Sequence, residues 1–499
     1  MSILALDVGT TNLKGILFSE EGKILFKSII QNEFIKKHQI YELSPLELWK
    51  NVKAIIKNAS ISSKSDCLRS ICFSVSSGEV IFPIDKGGNP LSTVFIAYDK
   101  RGEQYIEYVK EKIDIHNFYN RTGFLFTNEI AALHRILWFK NYRKDIYNST
   151  WKFVDLNQFI HLKLGFPPDN DFSNMSLTGF FNIKENKISE MVLDAFSIDL
   201  KKFGKAVSSG IILGKIKPDV AEKLSLSKDV YLISGGLDQA CATLGAGLYK
   251  EGEVLINLGT VICISSPITS TNFGNLVNNK FKLSLARYVY NNLLLALIWT
   301  YNGGQAIDWY VNNFKEYNKT SLSGENPYRI IFKNISRAKT EVFFLPYFAG
   351  SFFPYYNDKI RATVLGLNLL TKIEDITQGF INGLTCDIRQ KIEILKTVSL
   401  KVTRIVAAGG GAKDREWLQL ISNFCNIPLI TLENKECGCT GCAIISSLAL
   451  GIHDSVEEAI KVFITTDHEY QPEKELRIFY DDYYKKYLEI YDDIKDFYK

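Results

Sequence analysis

The 499 residues are 46% apolar and 23% charged, with a net charge of +4. That composition is globular and excludes a disordered chain, and without a dense Lys/Arg block it gives a nucleic-acid role no footing. The length exceeds one ordinary core, so two or more large domains are expected.

No apolar run approaches the ~20 residues that span a bilayer. The opening MSILALDVGTT has neither a basic n-region nor a small-residue cleavage site. A cytoplasmic location without a membrane partner is therefore expected.

In chain order, ILALDVGTTNLKGILFSEEGKIL predicts strand, turn, strand, hairpin, strand. In SPLELWKNVKAIIKNA, Ser44 as N-cap, Pro45 in the first turn and apolar residues at helical spacing predict a helix. SICFSV and EVIFPID read as strands and KGGNP as a turn. From Gln104 to about Phe166 the pattern is mostly helical. DVYLIS reads as a buried strand, followed by a Gly235-Gly236 turn and a helix start at Asp238.

A second strand-rich start, GEVLINLGTVICISS, repeats the first. Leu6-Asp7-Val8-Gly9-Thr10 is echoed by Ile256-Asn257-Leu258-Gly259-Thr260. Two copies half a chain apart predict two related domains facing each other across a cleft. The boundary is placed near Gly245–Gly252, giving domains at 1–246 and 247–499. Beyond it, YNGGQAIDWYVNNF and KIEDITQGFINGLTCDIRQKIEIL read as helices, and VTRIVAAGGGAKDREWLQLISNFC as strand, glycine loop and helix. IPLITL is a strand, GCTGCAIISSLALG a buried helix, and the tyrosine-rich tail is helical in period. Strands alternating with helices make the fold class α/β.

DVGTTNLKG joins two strands through a turn of Gly, Thr and Asn. Such a turn offers backbone N–H groups and hydroxyls to phosphate oxygens. Asp7 at the strand end could hold Mg²⁺ through water. A polar β-hairpin is the plainer alternative, and the second Gly259-Thr260 turn weighs against it. AAGGGAKD ends a strand and opens a helix. Gly409–Gly411 there permit close approach of a ring or a phosphate, or simply a tight turn. Asp238 is read locally as a helix N-cap. The nine cysteines are mostly scattered in apolar runs. Cys437, Cys439 and Cys442 in CGCTGC could bind metal, but a closed zinc site needs a fourth ligand and none lies near in sequence.

In this order, the three glycine motifs resemble the FGGY family of carbohydrate kinases, within the actin-like ATPase superfamily. The likeness continues in DFSNMSLTGFFNI (Asp171–Ile183), in VFIAYDKRG with Asp99 and Arg101, in FFLPYFAGSFFP and in LGLNLLTKIEDITQGFINGL. It covers nearly the whole chain and runs to xylulokinase-like and gluconokinase-like members. The resemblance implies two actin-like (ribonuclease H-like) domains, each a mixed sheet flanked by helices. It implies transfer of the γ-phosphate of ATP to a hydroxyl of a small sugar or polyol, with Mg²⁺ bridging the phosphates. Asp238 matches the base, and with Glu79, Asp99 and Gln239 it falls among the sugar contacts. Thr10, Thr11, Asn12 and Lys14 match the first phosphate loop, and Gly259, Thr260, Gly304 and Gln305 the second. Gly409, Gly410, Gly411 and Ala412 match the adenosine loop. Asp7 and Asp238 match the residues that address Mg²⁺ through water.

Departures gather at the sugar end. Ser77-Gly78-Glu79 stands where Gln-Met-His is usual, Ala97 where Trp is usual, and Phe352 where Glu is common. Glu79 can accept hydroxyl hydrogen bonds and would disfavour an anion, which favours a neutral sugar or polyol over gluconate; a solvent-facing Glu79 is the plainer alternative. The competing readings are a chaperone-type or filament-forming ATPase and a catalytically silent sugar sensor. A homodimer is the open question of assembly.

Overall fold

The structure, a computed structural model, describes residues 1–37, 40–63, 67–76, 78, 80–96, 99–125, 130–314, 331–332, 340–398 and 401–498. Its first half is built on a six-stranded sheet. The strands are β1 (Ser2–Val8), β2 (Asn12–Ser19), β3 (Ile24–Gln31), β4 (Leu68–Val75), β5 (Ile212–Lys215) and β6 (Tyr231–Leu237), in the spatial order β5-β6-β4-β1-β2-β3. β1, β2 and β3 form an antiparallel meander. β4 and β6 run parallel to β1, and β5 closes the edge antiparallel.

The second half repeats this plan. Its strands are β7 (Glu253–Leu258), β8 (Ile262–Ile268), β9 (Ser284–Arg287), β10 (Leu294–Thr300), β11 (Arg404–Ala408), β12 (Leu429–Leu432) and β13 (Thr466–Tyr470), in the order β9-β10-β8-β7-β11-β12-β13. β7, β8 and β10 are the meander, β11 and β12 run parallel to β7, and β13 is the antiparallel edge. β9 is an addition on the far edge. The two Gly-Thr turns thus occupy equivalent corners, β1–β2 and β7–β8.

Local signals account for much of this. α1 (Pro45–Ser62) begins on Ser44, whose side chain accepts from the Glu47 N–H, with Pro45 in the first turn. Its buried Val52, Ile55 and Ile56 lie over β2 and β3. A Cβ at Gly15 would stand 2.3 Å from the Ile55 methyl, so only glycine lets the helix lie this close.

Two helices pack between the sheets. α2 (Asp238–Gly245) leaves the end of β6 and lies against β8 of the second sheet. α3 (Cys437–Ala449) belongs to the second half of the sequence but lies on β1, β4 and β6. The two helices cross backbone to backbone. A Cβ at Gly245 would meet the Cys437 carbonyl at 1.9 Å, and one at Gly441 the Cys241 carbonyl at 2.0 Å. Cys437, Cys439 and Cys442 are buried in this crossing as free thiols. Among the described residues no group of three His, Cys, Asp or Glu could hold a metal. Close packing accounts for these small residues.

Two local expectations need correction. Gly235 and Gly236 do not turn the chain; they lie inside β6. Their glycines serve packing, because a Cβ at Gly235 would fall 1.8 Å from the Phe73 carbonyl and one at Gly236 2.3 Å from Val289. Asp238 is not the N-cap either. Leu237 occupies that position and Asp238 is the first helical residue, because the strand runs straight into the helix. Among the described residues no helix is long and apolar enough to cross a membrane.

Candidate active site

The first Gly-Thr turn is held from behind. Asn32, just past β3 and 4% exposed, donates through Nδ2 to the carbonyls of Gly9 and Thr10, each at 3.0 Å. Its own N–H donates to the Thr11 carbonyl at 2.9 Å. In a trans peptide, C=O and N–H point opposite ways. With the carbonyls turned toward Asn32, the N–H groups of Thr10 and Thr11 point away from it, as an anion-binding nest requires. Nothing in the local sequence marks Asn32 for this task. Asn32→Ala frees the Gly9 and Thr10 carbonyls while keeping the backbone bond to Thr11, and is expected to raise the KM for ATP roughly fivefold, about 1 kcal/mol. Steady-state kinetics should register a smaller change in kcat; an unchanged KM would refute the role.

Asp7 lies at the end of β1, its side chain 20% exposed. Ser74 of β4, its parallel neighbour in register, donates from Oγ to Oδ1 at 2.9 Å. The first turn of α3 rests on the carboxylate, since a Cβ at Gly438 would be 2.9 Å from Asp7 Cγ. Burial pushes the Asp7 carboxyl above its ordinary value, and the charge of Lys14 and the Ser74 bond only partly offset that. Lys14 Nζ stands 3.9 Å from Asp7 Oδ2 and 2.7 Å from Glu436 Oε2. Burial alone would lower the Lys14 ammonium; its bond to Glu436 and the charge of Asp7 outweigh burial and raise it.

Asp238 reaches the same edge from β6. Leu237 pairs with Val75 and Val75 with Val8, so the three parallel strands end in one row. Asp7 and Asp238 therefore flank β4, two strand spacings or roughly 10 Å apart across the sheet. Asp238 is half-buried, and its Oδ1 accepts from the Gln239 N–H at 2.6 Å. α2 is clamped to β8 by Thr243 Oγ1 and Ser265 Oγ at 2.7 Å. Burial raises the Cys263 thiol of β8 well above its ordinary value, and the nearby charge of Asp238 adds to that. Asp238 thus faces the strand that follows the Gly259-Thr260 turn.

The Asp171–Thr178 segment supports Asp238 from below. Asp171 is fully buried and caps the short helix Phe172–Ser176, accepting from the N–H groups of Ser173 and Asn174. Ser173 Oγ donates to Asp171 and accepts from the Leu237 N–H at 2.8 Å, one residue before Asp238. Ser176 Oγ accepts from the Arg287 N–H of β9 at 2.9 Å, tying the segment to the second sheet.

Three loops gather at one edge of the second sheet. Gly304 N–H donates to the Gly259 carbonyl at 3.0 Å and Gln305 N–H to the Thr260 carbonyl at 3.4 Å. Gly409 has φ +85°, and a Cβ there would fall 2.6 Å from Asn257 Oδ1; both facts require glycine. Asn257 and Ala408 are register partners, so Gly259-Thr260 and Gly409–Ala412 leave neighbouring strand ends. A cavity of about 520 Å³ opens where the latter loop ends, lined by Ala412, Lys413, Arg415, Thr431, Lys435 and Asp467 among others.

Asp99, which the family resemblance puts among the sugar contacts, is fully buried. Its carboxylate accepts from Arg101 Nε at 2.9 Å, Arg101 Nη2 at 2.6 Å, the Arg101 N–H and the Tyr41 N–H. Arg101 Nη2 also meets Glu42 at 2.6 Å. Asp99 is thus placed to hold Arg101, which lies over the Phe95 ring. Glu79, Ser77 and Ala97 lie outside the described residues. Phe352 is half-buried and packs edge-on against Tyr301 with ring centres 5.1 Å apart.

Comparisons with known proteins identify the family. The N-terminal domain model of the FGGY carbohydrate kinases matches residues 2–245, and the C-terminal domain model matches residues 256–450. A xylulose kinase of Staphylococcus epidermidis is 24% identical over 99% of this chain and 97% of its own. A gluconokinase of Bacillus subtilis is 26% identical over 94% of this chain and 91% of its own. The crystal structure of a ligand-bound xylulose kinase from Lactobacillus acidophilus superposes with a TM-score of 0.88 at 21% identity, covering 100% of this chain and 99% of that one. With both of its domains matched in order, the chain belongs to the FGGY family of carbohydrate kinases and is a sugar kinase.

Proposed function

We propose that this kinase transfers the γ-phosphate of ATP to a hydroxyl of a neutral sugar or polyol, with Asp238 as the base. The placement of Asp238 carries the reading. It stands at the edge where β1, β4 and β6 end, clamped through α2 to the strand behind the Gly259-Thr260 turn. Phosphoryl transfer asks the protein mainly to position groups and offset charge. A carboxylate in reach of the attacking hydroxyl takes its proton as the oxygen bonds to the γ-phosphorus and the bond from that phosphorus to the bridging oxygen breaks, releasing ADP. The Asn32-backed turn and the Gly259-Thr260 turn hold the phosphates in line from two sides. Gly409–Ala412 offers a bare backbone to the adenosine.

The carboxylates fit Mg²⁺. Asp7 and Asp238 are hard oxygen donors at one edge, and no group of three metal-binding side chains occurs among the described residues. A cation there would keep water and phosphate oxygens as ligands, as Mg²⁺ does. Bound, it would offset charge on the phosphates; Asp7 and Asp238 would hold it through water.

The acceptor reading rests on Glu79 and Arg101. Glu79 would disfavour an anionic substrate, and Arg101 is already paired with Asp99 and Glu42. The curated relatives include xylulose, gluconate and glycerol kinases. An ADP-release screen over ketoses, aldoses, polyols and aldonates is expected to favour a neutral acceptor. Preference for gluconate would contradict the reading. Sugar binding without ADP release on any member would point instead to a silent sensor.

A further inference from the structure

Among the described residues, Glu436 is the carboxylate that the second half of the chain brings to the ion pairs around Asp7. It immediately precedes α3, in the N-cap position, with φ −90° and ψ 63°. A carboxylate there would ordinarily serve its own helix, yet it makes no side-chain cap bond. It turns sideways to two lysines of the first sheet. Oε2 meets Lys14 Nζ at 2.7 Å and Oε1 meets Lys27 Nζ at 3.2 Å. The side chain is only 13% exposed. Lys14 Nζ is left 3.9 Å from Asp7 Oδ2, beyond a direct hydrogen bond. The glycine at 438 lets the start of α3 come down on Asp7, and this brings Glu436 within reach of Lys14.

We propose that Glu436 is a positioning residue: it holds the Lys14 ammonium off the Asp7 carboxylate and so keeps Asp7 available to a hydrated divalent cation. The inference rests on the reading that Asp7 addresses Mg²⁺. A lysine is a point charge on a flexible four-carbon stem. Without Glu436, Lys14 closes on Asp7, and attraction grows as the distance shrinks. The contact pair would then compete with the cation for the same oxygens. With Glu436 in place, Lys14 keeps a carboxylate partner at hydrogen-bond distance and Asp7 does not have to supply it.

The test is a binding cycle without turnover. Calorimetry gives the dissociation constant of ADP in EDTA and in Mg²⁺, and the ratio of the two isolates the contribution of the metal. Any direct contact of Lys14 with phosphate enters both arms. Glu436→Gln is expected to reduce that ratio roughly two- to fivefold, the range of a partly exposed ion pair. Adding Lys14→Met to Glu436→Gln removes the competitor and is expected to restore the ratio to the wild-type value or above. A merely structural role would not be rescued by a second lesion. An unchanged ratio in Glu436→Gln, or a double variant no better than the single one, would overturn the proposal. Asp7→Asn is the control for the underlying reading. If it leaves the ratio unchanged, Asp7 does not face the metal and both inferences fall; if it lowers the ratio while Glu436→Gln does not, only the role of Glu436 falls.

Discussion

Asp238→Asn should lower kcat by roughly 10²–10⁴-fold, the span of a positioned general base, while nucleotide affinity stays close to wild type. The substitution keeps the shape and an oxygen that can accept from the Gln239 N–H, as Oδ1 now does at 2.6 Å. It removes the charge and the capacity to take a proton. The helix clamp between Thr243 and Ser265 lies on the next turn and is untouched. The bond from the Leu237 N–H to Ser173 precedes the substituted side chain and should hold the strand end in place. Single-turnover transfer and calorimetric titration with a non-hydrolysable ATP analogue separate the two quantities. Near-normal transfer would remove Asp238 from the chemistry. A loss of nucleotide binding matching the loss of turnover would show that the strand end had moved.

How much of this site was legible beforehand depends on the range of the contacts involved. The two Gly-Thr turns were legible because each is short and local: an apolar strand, a small turn, an apolar strand. Their recurrence half a chain apart announced the duplicated sheet order. The Ser44 cap and Pro45 start were legible for the same reason. Asn32 was not, because its task is to satisfy carbonyls some twenty residues earlier, and an Asn after a strand normally reads as a loop residue. Glu436 was less legible still; its partners Lys14 and Lys27 are set by the packing of α3 on the first sheet, a contact between opposite ends of the chain. Gly235 and Gly236 misled for a physical reason. A glycine pair usually signals a turn, yet here both are needed because the Phe73 carbonyl and Val289 occupy the space of a side chain. The Asp171–Thr178 segment was legible as part of the family likeness, but its support of the Asp238 strand through Ser173 emerges only from tertiary contact.

Asp7→Asn is expected to change activity and stability in opposite directions. Burial raises the Asp7 carboxyl above its ordinary value of 3.8, with Lys14 and the Ser74 bond only partly offsetting it. A carboxyl raised on folding favours the protonated state. The stability it contributes is full below 3.8 and is lost as pH rises through the higher native value. At neutral pH the native state therefore holds a charge that it would rather not bury. Asn removes that charge and still accepts from Ser74 Oγ through its own oxygen. In metal-free buffer the variant should melt on the order of 1–3 °C higher near neutral pH, and the difference should shrink as the pH is lowered toward 4. Activity should fall in the same variant by roughly 10²–10³-fold, the effect of removing one preorganised electrostatic contact from a transfer site. Scanning calorimetry at two pH values and initial rates over a Mg²⁺ series test both halves. A lower melting temperature near neutral pH would mean that Lys14 and Ser74 outweigh burial, and the ionised carboxylate would then be a net stabiliser of the fold. A higher melting temperature with lost activity would mark Asp7 as a charge kept at a cost in stability, which is the expectation for a group whose task is to meet a cation at the mouth of a phosphate turn.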